Sequence, residues 1–314
     1  MKPLLANRLI FVYLAAIGAA FIVFIFLNAL VGGFIGAQLG FAGASTEEVI
    51  NIVSERLERI GADLFHVALA ITLALLAFWI HRRYVVQWAD AIRWRRAKLS
   101  DTAQISGWIV LFSLGYTLFV GWVIPPEYIK QVTGFYHAQT LWGWLGLVVS
   151  IGLLAPLLEE WIFRGFMLQS YARRKGTAFA LLAQAVVFSL IHGEPVTAVG
   201  ALFMGWMLGR WILAGGFLTS TFWAHAINNL FSLAGIAFGS PLLRPDTPTS
   251  ASQGIFGLIL VIFVLFQVVR RTPFTNRPAE EPGPLLSGSL VLAFLVGIFL
   301  FFENISIFLF KPSS

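Results

Sequence analysis

The segment from Trp142 to Ala172 decides the fold and reads WGWLGLVVSIGLLAPLLEEWIFRGFMLQSYA. It is long and apolar enough to cross a bilayer, for which a helix needs about 20 residues. It nevertheless carries Glu159, Glu160 and Arg164 within the apolar run. Charged side chains inside a membrane are costly and usually mark a functional site. The segment therefore predicts a membrane helix that holds a reactive centre.

The composition of the whole chain is that of a membrane protein. Of the 314 residues, 58% are hydrophobic and 11% are charged, whereas a soluble domain is about 45–50% apolar and about 25% charged. The chain has no cysteine, which excludes disulfides, thiolate metal sites and cysteine catalysis. The net charge of +6 comes without a basic and aromatic recognition module, so we expect no nucleic-acid partner.

The apolar runs predict an all-α fold, a polytopic membrane helical bundle of about eight to nine transmembrane helices. The candidate spans are 9–30, 64–80, 105–124, 142–172, 177–192, 196–214, 217–238, 254–270 and 285–310. We expect residues 1–139 to form N-terminal helices with amphipathic connectors. Residues 140–240 would form a catalytic core of four helices, and 241–314 the C-terminal helices.

The distribution of lysine and arginine predicts the orientation of a multi-pass integral membrane protein. With the N-terminus in the cytoplasm, 16 of the 21 basic residues fall on the cytoplasmic side. We expect the cell membrane as the location if the source is prokaryotic, and an uncleaved first span. Three connecting segments stand out. Residues 45–63 are predicted to form an amphipathic helix with Ser45 or Thr46 as N-cap, or else a solvated connector. Residues 81–101 are predicted to form a basic helix on anionic headgroups, or else a partner-binding segment, and residues 272–284 a proline-containing linker.

The two adjacent carboxylates are predicted to have different roles. Glu160 and Arg164 are four residues apart, so they share one helix face and can pair. Glu159 lies about 100° further round the helix and is free to act as a general base. The alternative is an interfacial ion pair at a helix end.

A basic turn predicts that Glu159 lies at the height of His192. The turn is Arg173–Gly176, and each of the two residues is about 16 positions, or roughly 24 Å, from it. We therefore expect the two side chains to be able to touch, with Phe188 packed beside the imidazole four residues later. The alternative is a histidine that faces water at a helix end.

His225 and Asn229 are also four residues apart and share a helix face. Together they can donate two hydrogen bonds to a developing oxyanion. Alternatively, Glu159, His192 and His225 could form a divalent metal site, for example for zinc. A third interpretation is a polar contact between helices. Gly200, Gly205 and Gly209 are expected to let neighbouring helices approach closely.

Several common catalytic patterns are missing from the sequence. It has no HExxH, no GxSxG serine elbow and no glycine-rich phosphate loop. The remaining polar pattern suits water activation and oxyanion stabilisation. We therefore expect hydrolysis of an acyl or amide bond inside the membrane.

Three ordered motifs resemble those of the CAAX prenyl protease and bacteriocin-processing (CPBP, Abi-type) family of intramembrane proteases, which includes the type II CAAX prenyl endopeptidases. The resemblance covers about residues 140–240 and rests on Glu159-Glu160-x-x-x-Arg164, Phe188-x-x-x-His192 and His225-x-x-x-Asn229.

The resemblance implies an endopeptidase that acts on a membrane-associated or prenylated, CAAX-type peptide. Glu159 would activate water with the help of His192, and His225 with Asn229 would form the oxyanion hole. Glu160 and Arg164 would hold the site in place. Members of the family are described both as metalloproteases and as metal-independent glutamate proteases, and the sequence leaves this choice open.

Two other classes of protein remain as alternatives. One is a non-catalytic membrane scaffold or immunity-type partner protein, which would tolerate the loss of the base and of the oxyanion donors. The other is a transporter or channel that uses Glu159 and Glu160 as a proton relay, in which His225 and Asn229 would have no natural role.

Overall fold

The structure is a computed structural model and describes residues 3–133, 136–238, 248–281, 283–285 and 287–310. Helices and their connectors make up this part of the chain, and it contains no strand, which confirms the predicted all-α class. The helices are α1 Pro3–Phe41, α2 Thr46–Trp88, α3 Leu99–Val123, α4 Pro126–Thr133, α5 Leu141–Lys175, α6 Thr177–Leu190, α7 Pro195–Leu213, α8 Leu218–Phe238, α9 Ala251–Arg271 and α10 Gly288–Phe310.

Every predicted span coincides with one of these helices. Within the described residues, α1, α2, α3, α5, α7 and α9 are long and apolar enough to cross a membrane. Helix α6 and the first part of α10 are shorter apolar helices. Helix α8 has 21 residues but carries His225, Asn228 and Asn229 along its length. The chain is thus an integral, polytopic membrane protein.

Helix α2 begins at a complete capping box. The Ser45 side chain accepts a hydrogen bond from the backbone N–H of Glu48, and the Glu48 carboxylate accepts one from the backbone N–H of Ser45 at 2.8 Å. The amphipathic helix predicted over 45–63 is therefore present, as the beginning of α2, with Ser45 as its N-cap.

The helix predicted over 81–101 is wrong for residues 89–98, where a turn over 89–93 is followed by irregular chain, whereas residues 99–101 begin α3. Arg93 adopts a φ of 59°, which ends any regular helix there. Its guanidinium Nε donates to the carbonyl of Gly216 at 2.8 Å, and its own carbonyl accepts from the N–H of Leu218. These contacts fix the turn against the α7–α8 connection.

Helix α5 is wound irregularly around its two carboxylates. Val148–Leu154 and Glu160–Met167 have π-helical geometry, and they flank an α-helical piece, Ala155–Glu159, that contains Pro156. Proline lacks the N–H that would bond to the preceding turn. Such π-helical turns occur often at functional sites, and here they place Glu159 at the junction of two windings.

Close approach of α6 and α7 depends on small residues, as predicted. A Cβ on Gly205 would lie 3.1 Å from the Phe188 ring and 3.2 Å from the backbone of Ala185. A Cβ on Gly200 would lie 3.1 Å from the Tyr116 ring of α3. The first contact packs Phe188 directly against α7, and the second packs α7 against α3.

Candidate active site

The carboxylate of Glu160 belongs to a buried ion pair. Its Oε1 lies 2.9 Å from Nη1 of Arg164, and both side chains are fully buried. The Arg164 guanidinium also stacks over the Phe188 ring, with Cζ 4.1 Å from the ring centroid. A buried charge of this kind is tolerated only when it is paired, so the predicted pairing of Glu160 with Arg164 is confirmed.

His225 lies between the two carboxylates and ties α8 to α5. Its Nδ1 is 3.1 Å from Oε1 of Glu160, within hydrogen-bond distance. Its Nε2 is 3.7 Å from Oε2 of Glu159, which is too long for a hydrogen bond. The imidazole is almost fully buried, so its orientation is fixed by the Glu160 contact rather than by solvent.

Glu159 has a partner that the sequence analysis missed. The hydroxyl of Tyr13 donates a hydrogen bond to Oε1 of Glu159 at 2.6 Å, and both side chains are buried. Tyr13 lies on α1, 146 positions earlier in the chain. Its only signal in the sequence is a hydroxyl within the first apolar run, which many membrane helices share.

His192 follows the end of α6 and faces the same site. The α5–α6 turn lies at Gly176, whose φ is 87°, where the basic turn was predicted. Nδ1 of His192 is 2.7 Å from the carbonyl oxygen of Phe188, so Nδ1 donates to that oxygen, which in a neutral imidazole leaves Nε2 as an acceptor. The two rings are 4.8 Å apart in edge-to-face geometry, as expected from their spacing.

Asn229 is held by the irregular part of α5. Its Nδ2 donates to the carbonyl oxygen of Ile151 at 2.9 Å, in the first π-helical stretch. An amide nitrogen carries two hydrogens, so one N–H remains after this bond. The neighbouring Asn228 accepts a hydrogen bond from Ser113 of α3 at 2.6 Å and so ties α8 to α3.

These groups line one cavity of about 340 Å³, at the lower end of the range for ligand sites. Its wall is otherwise mostly aliphatic and aromatic. The polar members that concern the chemistry are Tyr13, Glu159, His192, His225 and Asn229. Glu159 and His192 face this cavity together, although no direct hydrogen bond between them is present in the described chain.

The three side chains considered as zinc ligands do not form a ligand set. No group of three or more His, Asp or Glu side chains in the described residues is arranged to hold a metal ion. Nδ1 of His192 is bound to the carbonyl oxygen of Phe188 and Nδ1 of His225 to Glu160, so each ring has only Nε2 left as a possible ligand.

Comparison with known proteins gives a family match over part of the chain. Residues 141–231, from the start of α5 into α8, match the family model described as type II CAAX prenyl endopeptidase Rce1-like. Over this segment the chain is similar to intramembrane proteases of the CAAX type. No curated protein and no solved structure shows a significant match to the chain.

Proposed function

We propose that the chain hydrolyses a peptide bond in a membrane-associated substrate, on the premise that residues 141–231 match the type II CAAX prenyl endopeptidase Rce1-like family model. A prenylated, CAAX-type peptide is one candidate substrate. The observation that carries the proposal is the pair of adjacent glutamates with separate surroundings. Glu160 forms a buried ion pair with Arg164, whereas Glu159 lines the cavity.

Glu159 is the base that activates water. Its Oε1 is held by Tyr13, which leaves Oε2 to accept a proton from a water molecule in the cavity. The acceptor nitrogen of His192 orients that water by a second hydrogen bond. Glu159 then returns the proton to the leaving amine, so that the acid–base cycle closes on a single carboxylate.

His225 and Asn229 stabilise the oxyanion that forms on the attacked carbonyl. Asn229 supplies its second amide N–H, since the first is bound to Ile151. When Nδ1 of His225 donates to Glu160, Nε2 donates to the oxyanion only in the imidazolium form. Loss of a single oxyanion donor typically lowers kcat about 10²- to 10³-fold.

The test of the proposal is isosteric replacement of the base. Glu159→Gln keeps the size of the side chain and removes the proton acceptor, so cleavage of a quenched fluorescent prenylated peptide in detergent should be abolished. Glu58→Gln, an exposed glutamate on α2, is the matched control and should keep wild-type activity. Equal thermal stability of wild type and Glu159→Gln would show that the loss of cleavage comes from the lost proton acceptor and not from misfolding.

Retained cleavage by Glu159→Gln would refute the mechanism. If wild type does not cleave the prenylated peptide, cleavage of unprenylated membrane-spanning peptides by wild type and by Glu159→Gln is compared. No cleavage of any peptide by wild type would favour the alternative, a non-catalytic membrane scaffold.

A further inference from the structure

The two ends of the helical bundle differ sharply in charge. At one end, the basic end, Arg93 contacts Gly216, and Arg210 donates to the carbonyl of Thr272 at 2.9 Å, so the connecting segments at this end lie side by side. Its basic residues in the described chain are Arg8, Arg82, Arg83, Arg93, Arg95, Arg96, Lys98, Arg173, Arg174, Lys175, Arg210, Arg270, Arg271 and Arg277.

The opposite end is joined by its own set of contacts. The hydroxyl of Tyr128 donates to Glu194 at 2.7 Å, and the backbone N–H of Gln139 donates to Asp63 at 2.9 Å. The basic residues described at this end are Arg56, Arg59 and Lys130. The contacts between helices therefore reproduce the unequal distribution of lysine and arginine that was predicted from the order of the loops. By the positive-inside rule, the basic end is the cytoplasmic one.

The catalytic cavity extends from Glu159 toward the opposite end. Its wall includes Val120 near the end of α3, Ile129 of α4, and Glu194 and Thr197 at the start of α7. All of these lie at the end that Tyr128 and Glu194 join. The lining contains no lysine or arginine, and thus none of the basic residues of the cytoplasmic end.

We infer that the catalytic cavity opens to the non-cytoplasmic face of the membrane. On the basis of the proposed function, the substrate is then a membrane-anchored polypeptide whose scissile bond reaches Glu159 from that face. A C-terminus displayed in the cytoplasm would have to cross the basic end to arrive there. This assignment narrows the substrate class to segments in the outer half of the bilayer or just outside it.

The natural absence of cysteine allows a direct test with single cysteines in the full-length protein. Thr117→Cys, on α3, reports on the cavity wall. Ser100→Cys reports on the basic end, and Ser252→Cys, at the start of α9, reports on the opposite end. Ser100 and Ser252 are both exposed. Each variant is expressed in a bacterial membrane and treated with a sulfonated, membrane-impermeant maleimide.

We expect Thr117→Cys and Ser252→Cys to react in intact spheroplasts, and Ser100→Cys to react only after permeabilisation or in inverted vesicles. Reaction of Thr117→Cys together with Ser100→Cys would overturn the inference, as would reaction of Ser252→Cys from the cytoplasmic side alone. Ser232→Cys is the second cavity probe, and failure of both cavity probes to react from the non-cytoplasmic face also counts against it.

Labelling does not require catalysis, so this test is independent of the proposed chemistry. Adding Glu159→Gln to Thr117→Cys should leave the labelling pattern unchanged. A cavity that opens to the non-cytoplasmic face in a protein that cleaves nothing would contradict the proposed function alone. Cleavage with labelling from the basic end would contradict the inference alone.

Discussion

Substitution of Tyr13 by phenylalanine tests whether α1 takes part in catalysis from outside the segment that matches the family. The change removes one hydroxyl, the donor of the 2.6 Å hydrogen bond to Oε1 of Glu159. The ring keeps its shape and its place in the core. Without the hydroxyl, the carboxylate of Glu159 is no longer fixed, and its other oxygen loses its orientation toward the cavity.

The size of the effect follows from the kind of bond that is lost. A hydrogen bond to a charged group contributes about 1.5–3 kcal/mol, and about 1.36 kcal/mol corresponds to a tenfold change in rate. If the bond serves the transition state, kcat of Tyr13→Phe should fall about 10- to 150-fold. The value of KM should change little, because the bond is made to the base and not to the substrate.

The matched control is Tyr171→Phe. The hydroxyl of Tyr171 donates to the side-chain oxygen of Asn7 at 2.6 Å, also between α5 and α1, but away from the cavity. That bond is between neutral groups and contributes about 0.5–1.5 kcal/mol to stability. Tyr171→Phe should therefore lower the thermal midpoint in detergent slightly and leave kcat unchanged.

The assay is steady-state cleavage of the fluorescent peptide by both variants, with thermal unfolding measured on the same preparations. Wild-type kcat in Tyr13→Phe would refute the positioning role. A loss of kcat that only matches a loss of folded protein, or an equal loss in Tyr171→Phe, would show that the contact serves structure alone.

Three further predictions concern the rest of the site. Glu160→Gln leaves Arg164 buried without a counter-ion, so the protein should lose about 3–5 kcal/mol of stability; an unchanged midpoint in thermal unfolding would show that the pair is not needed for the fold. Gly205→Ala places a Cβ 3.1 Å from Phe188 and should lower the folding stability by about 1–3 kcal/mol. The control Gly107→Ala, whose Cβ would have nothing within 4 Å, should be neutral or slightly stabilising in its helix. Similar thermal unfolding midpoints for the two variants would contradict close packing at Gly205. A strong zinc chelator should leave the cleavage rate unchanged, because the donors near Glu159 do not form a ligand set; loss of activity that added zinc restores would disprove this interpretation.

The sequence by itself located the membrane helices and most of the polar groups of the site. A run of about 20 apolar residues must form a helix in a bilayer, because the backbone has no other way to satisfy its polar groups there. Spacing by four placed Glu160 beside Arg164 and Phe188 beside His192, since both pairs depend only on local helix geometry. The division into three regions, the orientation and the catalytic roles stay predictions.

Only the tertiary structure decided how these groups are connected. The contact of Tyr13 with Glu159 joins residues 146 positions apart, and that of His225 with Glu160 joins residues 65 positions apart. The same holds for Arg93, whose contacts with the α7–α8 turn end a helix that its own neighbours would have continued. Periodicity tells which side of a helix a residue occupies, whereas the identity of its partner depends on how every other helix packs around it.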